Sequence, residues 1–283
     1  MFECKINENI NGFDIKVFEL DTQHSETLKT KIKEKIKKIK IYSEASHIDL
    51  LPPGMDEAFK ERFRQNIQNT IRPKDHGMPW FNVRRAHATE FMSQLLLEEE
   101  YSCIFHEVSD KKINVSPVEI DKPISGIDVV GIQENDEYKF VVCEVKASKD
   151  NRIPCPSAKD LLEDIEKALM DEKRVSKEIL QYMIGLADAG QQELEKMIDF
   201  LVTLLSLESS KNTMYEKIAF FPFMIRNNQK IIDEIDVGDL SIFQKTELGN
   251  IDLSGVIWSF NEDIDDFCIK LYNEALDEMN DVS

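Results

Sequence analysis

Two short apolar runs in the middle of the chain carry charges that an apolar strand does not ordinarily tolerate. Gly126-Ile127-Asp128-Val129-Val130-Gly131 holds one acid, and Phe140-Val141-Val142-Cys143-Glu144-Val145-Lys146 holds an acid and a lysine. Burying a charge costs several kcal/mol unless it is paired or bound to an ion, so these three groups need a compensating partner. Strand side chains alternate between faces with period two. Phe140, Val142, Glu144 and Lys146 therefore share one face, and Val141, Cys143 and Val145 the other. The polar stretch Gln133-Glu134-Asn135-Asp136-Glu137 between the runs suits a hairpin loop, and antiparallel pairing would bring Asp128 near Glu144. Two carboxylates that close repel one another, and a hard divalent cation with oxygen ligands relieves the repulsion. With Lys146 on the same face, the set holds the parts that metal-assisted phosphodiester hydrolysis needs. They are a cation that polarises the phosphate and activates water, and a positive charge for the developing negative one.

A lone Glu-x-Lys on a strand is ordinarily the solvated face of an antiparallel sheet. Asp128 in a second apolar run counts against that reading, and so does Glu90, which follows Arg84-Arg85-Ala86-His87-Ala88-Thr89 and opens a helical pattern through Phe91, Leu95 and Leu96 to Glu100. Asp128 followed sixteen residues later by Glu144-x-Lys146 resembles the core motif of the PD-(D/E)xK nuclease superfamily, with Ile127 where the family name has proline. The wider pattern is the Arg-rich lead into Ala88-Thr89-Glu90-Phe91, then Ser125 to Gly131, then Cys143 to Ser148. It resembles the HamA-type nuclease subunit of Hachiman anti-phage defence. That resemblance implies a restriction-endonuclease-like α/β fold, a mixed central sheet flanked by helices. It implies catalytic roles for Asp128, Glu144, Lys146 and Glu90. Mg²⁺, or Mn²⁺ in its place, would be held by Asp128, Glu144, Glu90 and the Val145 carbonyl. DNA would be the substrate, and a helicase the protein partner that restrains the nuclease. Two other readings stand beside it: a stand-alone restriction or repair endonuclease, and a non-catalytic adaptor that keeps a nuclease fold.

Charge bears on how DNA would be reached. The chain carries a net charge of −19. Residues 1–90 hold 16 Lys and Arg against 14 Asp and Glu, or +2, which leaves −21 for the remaining 193. Phosphate neutralisation supplies most non-specific DNA affinity, so a DNA path should favour the N-terminal third. Arg84, Arg85, Lys35, Lys37 and Lys38 are its candidate contacts. The last three belong to Lys29–Lys40, seven lysines in twelve residues, with Ile32, Ile36 and Ile39 on one helical face. A solvated amphipathic helix is the plainer account of that run.

At 283 residues and 42% hydrophobic, the chain can bury one large core or two modest ones. No apolar run is long enough to span a bilayer and the N-terminus lacks a signal-peptide pattern, so the expected setting is cytoplasmic, away from membranes. Five scattered cysteines suggest neither a disulfide framework nor a zinc site. The patterns predict an N-terminal accessory portion, 1–79, and a nuclease-like core, 80–283. The first has a hairpin over Ile6–Leu20 turning at Asn11-Gly12, and helices at 24–40 and 55–71. The core adds helices at about 157–173, 175–188 and 190–208, strands at 218–225 and 255–260, and a terminal helix from Glu262 to about Met279. Loops are expected at 52–54 and 74–79, and His76 and His87 are expected at the surface or just outside the site.

Overall fold

A computed structural model of the protein describes residues 1–38, 54–71, 79–111, 126–188, 194–207, 211–227, 234–245 and 251–281. Ser125, His76, Lys40, Pro52-Pro53 and most of the 74–79 loop lie outside these residues.

The described strands form one seven-stranded mixed sheet. They are β1 (Phe2–Ile10), β2 (Phe13–Leu20), β3 (Cys103–Ile104), β4 (Val129–Glu134), β5 (Tyr138–Ser148), β6 (Ile218–Arg226) and β7 (Asp252–Ser259). Their spatial order is β1-β2-β7-β6-β5-β4-β3. The four central strands, β2, β7, β6 and β5, run parallel to one another, and the hairpin partners β1, β4 and β3 are antiparallel to their neighbours. Central parallel strands covered on both faces read as continuous apolar runs, which is why Ile218–Arg226 is buried at every position. Pro222 lies within that central strand, and the β6–β7 register skips Phe221 and Pro222, where the proline ring has no N–H to donate.

Helices cover both faces. On one lie α1 (Ser25–Lys37), α3 (Pro79–Glu100) and α9 (Ile264–Asp281), which pack with Val129, Val141, Cys143 and Val145. On the other lie α5 (Ser157–Met170), α6 (Glu172–Asp188) and α7 (Glu195–Ser206), packed with Val130, Val142, Phe220 and Met224. The short helices α4 (Glu107–Lys111) and α8 (Lys211–Tyr215) and the helix α2 (Glu57–Ile71) complete the described helices longer than a 3-10 turn. The strict in–out alternation read from Phe140–Lys146 is thus realised as two separate cores.

The N-terminal hairpin, read with residues 1–79 as an accessory portion, is built into the sheet: β2 pairs with β7, and Leu28, Ile32 and Ile36 of α1 enter the same core as α3 and α9. Two expectations are corrected. The helix carrying Glu90 starts eleven residues earlier, at Pro79, because proline suits a first helical turn and α3 is wrapped by α1, α9 and the sheet. Finally, Gly126-Ile127-Asp128 precedes β4 instead of belonging to it. The other helices and strands read from the sequence fall within a few residues of their expected ranges, whereas β3, α4 and α8 were not expected. Asn11 and Gly12 both have positive φ, 56° and 88°, as the tight hairpin turn requires.

A fully buried ion pair fastens the loop after β5. Arg226, at the end of β6, donates to Asp236, to the Asp150 carbonyl at 2.7 Å and to the Arg152 carbonyl at 3.1 Å, and Asp236 also accepts from the Cys155 N–H at 3.2 Å. Removing one partner of such a pair leaves an uncompensated buried charge. Asp236→Ala should therefore lose about 3–5 kcal/mol of stability in urea titration, whereas an apolar replacement of both partners should lose much less.

Candidate active-site cleft

The β4–β5 register pairs Val129 with Cys143, and one step further along sets Asp128 opposite Glu144. The ladder ends there. Instead of a backbone partner, the Val145 N–H donates to Asp128 Oδ2 at 2.8 Å, so the acid caps the strand it faces. Gly126, with φ 144°, supplies the turn that leads the chain into this position. Glu144 is only 2% exposed.

The flanking helices supply the compensating charges. Arg174 of α6 donates to Glu144 Oε1 at 2.8 Å and to the Gly126 carbonyl at 2.7 Å, which ties the ends of the two strands together. Its own position follows from a helix cap, since Asp171 Oδ1 accepts the Arg174 N–H at the start of α6. Asp164 of α5 accepts from Lys146 Nζ at 2.7 Å and from Lys167 at 2.7 Å. Neither Arg174 nor Asp164 was legible as a site residue, because each sits in an ordinary amphipathic helix whose charged face looks like a solvated one.

A cleft of about 280 Å³ opens where β5 meets α3 and α5. Asp128, Val145 and Lys146 line it from the sheet, Arg85 and Glu90 from α3, and Ser157 from the first turn of α5. The cleft brings together Glu90, Asp128, Val145 and Lys146, and Glu144 is buried next to them on β5. Arg84 is different: it is 4% exposed and faces the core, because one step along a helix rotates a side chain by about 100°. Lys35 bonds Gln94 and Asp110, and Lys37 bonds Glu34 and Glu278, so both face acids of this chain, while Lys38 is exposed. His87 is buried in α3 and does not line the cleft; burial, helped by the neighbouring Arg84 charge, pulls its imidazole down to about 4.

The electrostatics are those of a crowded acid pair. Burial pushes the Glu144 carboxyl well above its ordinary range, and the Asp128 charge adds to this against the pull of Arg174. Burial likewise raises Asp128, partly offset by the Val145 N–H and by Lys146. Lys146 is raised although burial opposes it, because Asp164, Asp128 and Glu144 all favour its charged form. The oxygen donors at the cleft, the neighbouring Asp128 and Glu144 carboxylates and Glu90 of α3, are of the type that hard divalent cations take. Among the described residues, no group of three or more His, Cys, Asp or Glu side chains is drawn together into a metal cluster. Compared with models of known protein families and with curated proteins, the chain matches none. No helix among the described residues is long and apolar enough to cross a membrane.

Burial, with the mutual repulsion of the two carboxylates, favours the protonated forms of Asp128 and Glu144 more in the folded protein than in the unfolded chain. Raised acids favour folding at low pH, and that advantage is lost as pH rises above the unfolded carboxyl values toward the folded ones. Asp128→Asn keeps the acceptor for the Val145 N–H while removing one of the two charges. In metal-free buffer near pH 8 it should melt about 2–4 °C above the wild type, and by about pH 4 the difference should vanish, as followed by calorimetry.

Proposed function

We propose that this chain is a Mg²⁺-dependent deoxyribonuclease that hydrolyses phosphodiester bonds. The observation that carries the reading is the register of β4 on β5. It sets Asp128 against Glu144 beside a cleft that Lys146 and Glu90 also face. A buried carboxylate pair with an adjacent lysine in a concave site is a costly arrangement for a purely structural sheet end, and an economical one for chemistry on a phosphate.

Asp128, Glu144, Glu90 and the Val145 carbonyl are the groups that would hold the ion, Mg²⁺ or Mn²⁺. Once bound, such an ion polarises the phosphate and lowers the pKa of a coordinated water. The chain's own residues supply the rest. Lys146, held by Asp164, presents a positive charge to the attacked phosphate or orients the attacking water. Asp128 is held by the Val145 N–H, and Arg174 keeps Glu144 in place from behind. Positioned donors of this kind each contribute about 10²–10³ in rate.

The charge distribution supports a partner. The part of the chain after residue 90 carries −21, and among the described lysines of α1, Lys29, Lys31, Lys33, Lys35 and Lys37 are paired with acids of this chain. A body so acidic gains little from counterion release on DNA. Together with the resemblance to the nuclease subunit of Hachiman defence, this favours an effector that depends on a helicase partner for DNA affinity and control. A stand-alone restriction or repair endonuclease would share the site but cut purified DNA unaided.

The test is cleavage of labelled DNA with Mg²⁺ and with EDTA, by the free chain and by material co-purified with its partner. Asp128→Ala and Lys146→Ala should lower the Mg²⁺-dependent rate by at least about 10²-fold while the far-ultraviolet circular dichroism is unchanged. Undiminished cleavage by Lys146→Ala would falsify the mechanism. If neither free nor partnered wild-type protein cuts DNA with Mg²⁺ or Mn²⁺, the adaptor reading takes its place.

A further inference from the structure

Beside the cleft, one carboxylate holds two cations. Asp265 Oδ1 accepts from Arg85 Nη1 at 3.0 Å, and Asp265 Oδ2 accepts from Lys149 Nζ at 2.8 Å. Lys149 also donates to Asp263 Oδ2 at 3.0 Å. Arg85 lines the cleft itself, and Lys149 lies three residues beyond Lys146, where the chain leaves β5.

The position of Asp265 in the first turn of α9 does not by itself explain these bonds. Capping of that helix is done by Asp263, whose Oδ1 accepts the N–H groups of Asp265 at 2.9 Å and Asp266 at 3.1 Å. Asn227 Oδ1 takes the Ile264 N–H at 3.0 Å. The Asp265 carboxylate is thus turned to the sheet side and shared, one oxygen each, between Arg85 and Lys149. A phosphodiester presents two non-bridging oxygens in a comparable way, and arginine and lysine are the residues that bind such groups. The two cations reach one carboxylate, and Arg85 lines the cleft read as cutting phosphodiesters.

We propose that Arg85 and Lys149 form a subsite for a backbone phosphate of the nucleic-acid strand next to the one cut, and that Asp265 occupies this subsite until the strand displaces it. The inference rests on the nuclease reading of the cleft and deepens it. It assigns Lys149 and Arg85 a joint role in strand binding, and Asp265 the role of an internal substitute for phosphate. Strand entry exchanges one anion for another on the same two cations, so Arg85 and Lys149 stay paired while the Asp265 carboxylate is released. It also raises the threshold for binding, in keeping with a chain that neutralises its own basic groups.

Binding can be measured apart from cleavage, by fluorescence anisotropy of a labelled DNA oligonucleotide with the full chain in EDTA at low salt. Asp265→Asn should tighten binding about fivefold to tenfold, whereas Glu262→Gln, an exposed acid of the same segment, should change it less than about twofold. Lys149→Gln and Arg85→Gln should each weaken binding, and Asp265→Asn combined with Lys149→Gln should lose the gain. The proposal is overturned if Asp265→Asn binds no tighter than Glu262→Gln, if the double variant keeps the gain, or if neither wild type nor Asp265→Asn binds DNA. Melting curves of each variant identify any that fail to fold, and Lys149→Gln, at a half-exposed side chain, serves where Arg85→Gln does. Mg²⁺-dependent cleavage by the same variants, both free and co-purified with the partner, separates the two readings. Cutting without the predicted binding pattern removes the subsite alone, and the binding pattern without cutting removes the nuclease reading alone.

Discussion

The antiparallel register between β4 and β5 is the constraint on which the site depends. Shifting it by one residue would turn Glu144 away from Asp128 and carry the apolar residues of β5 to the wrong layers, since strand side chains alternate with period two. That register is held from several sides. Val129, Val141 and Cys143 belong to the layer under α3, while Val130, Val142 and Phe140 belong to the layer under α5 and α6. The two cores thus specify the pairing, and the pairing in turn forces two acids together at the point where the ladder stops.

What the sheet creates, the helices make tolerable. Arg174 and Asp164 come from successive helices on one face, and they bind an acid and a lysine on the adjoining strand. Arg85 and Glu90 come from a helix on the opposite face and reach round the sheet end to the same cleft. The buried Arg226–Asp236 pair fixes the loop that follows β5, so that Ser157 and the start of α5 stand at the cleft wall. The acid pair remains opposed, since burial disfavours the charged form of each carboxyl and the Asp128 charge disfavours that of Glu144 further. Stability given up at a cleft is characteristic of sites arranged for chemistry or ligand binding, where the incoming group relieves what the apo fold leaves opposed.

Much of this was legible in the residues. The runs 126–131 and 140–146 are short, and their charges interrupt an otherwise apolar alternation, so the hairpin and the Asp128–Glu144 encounter followed from period and loop length alone. The long helices of the C-terminal half were equally readable because each carries one clear apolar face, and β6 because it is a continuous apolar run. Arg84 and Arg85 illustrate where the residues were silent. Adjacent in sequence and alike in chemistry, they part because α3 is surrounded, so that one step around it leads from cleft to core. The lysine run of α1 shows the same limit: its amphipathic pattern was plain, but its acid partners Glu99, Asp110 and Glu278 lie on other elements.

The sequence by itself determined most of the long strands and helices, the division of β5 between two layers, and that two acids and a lysine meet at the end of a hairpin. All of that depends on local period and on turns a few residues long. Tertiary structure alone decided that the N-terminal hairpin extends the central sheet, that Glu90 faces Asp128 across a cleft, and that Arg174, Asp164 and Asp265 complete the charge pattern. Those pairings join residues from about 18 to 240 positions apart. The energy that selects them comes from packing two helical layers onto one sheet, a property of the assembled cores that no single segment carries.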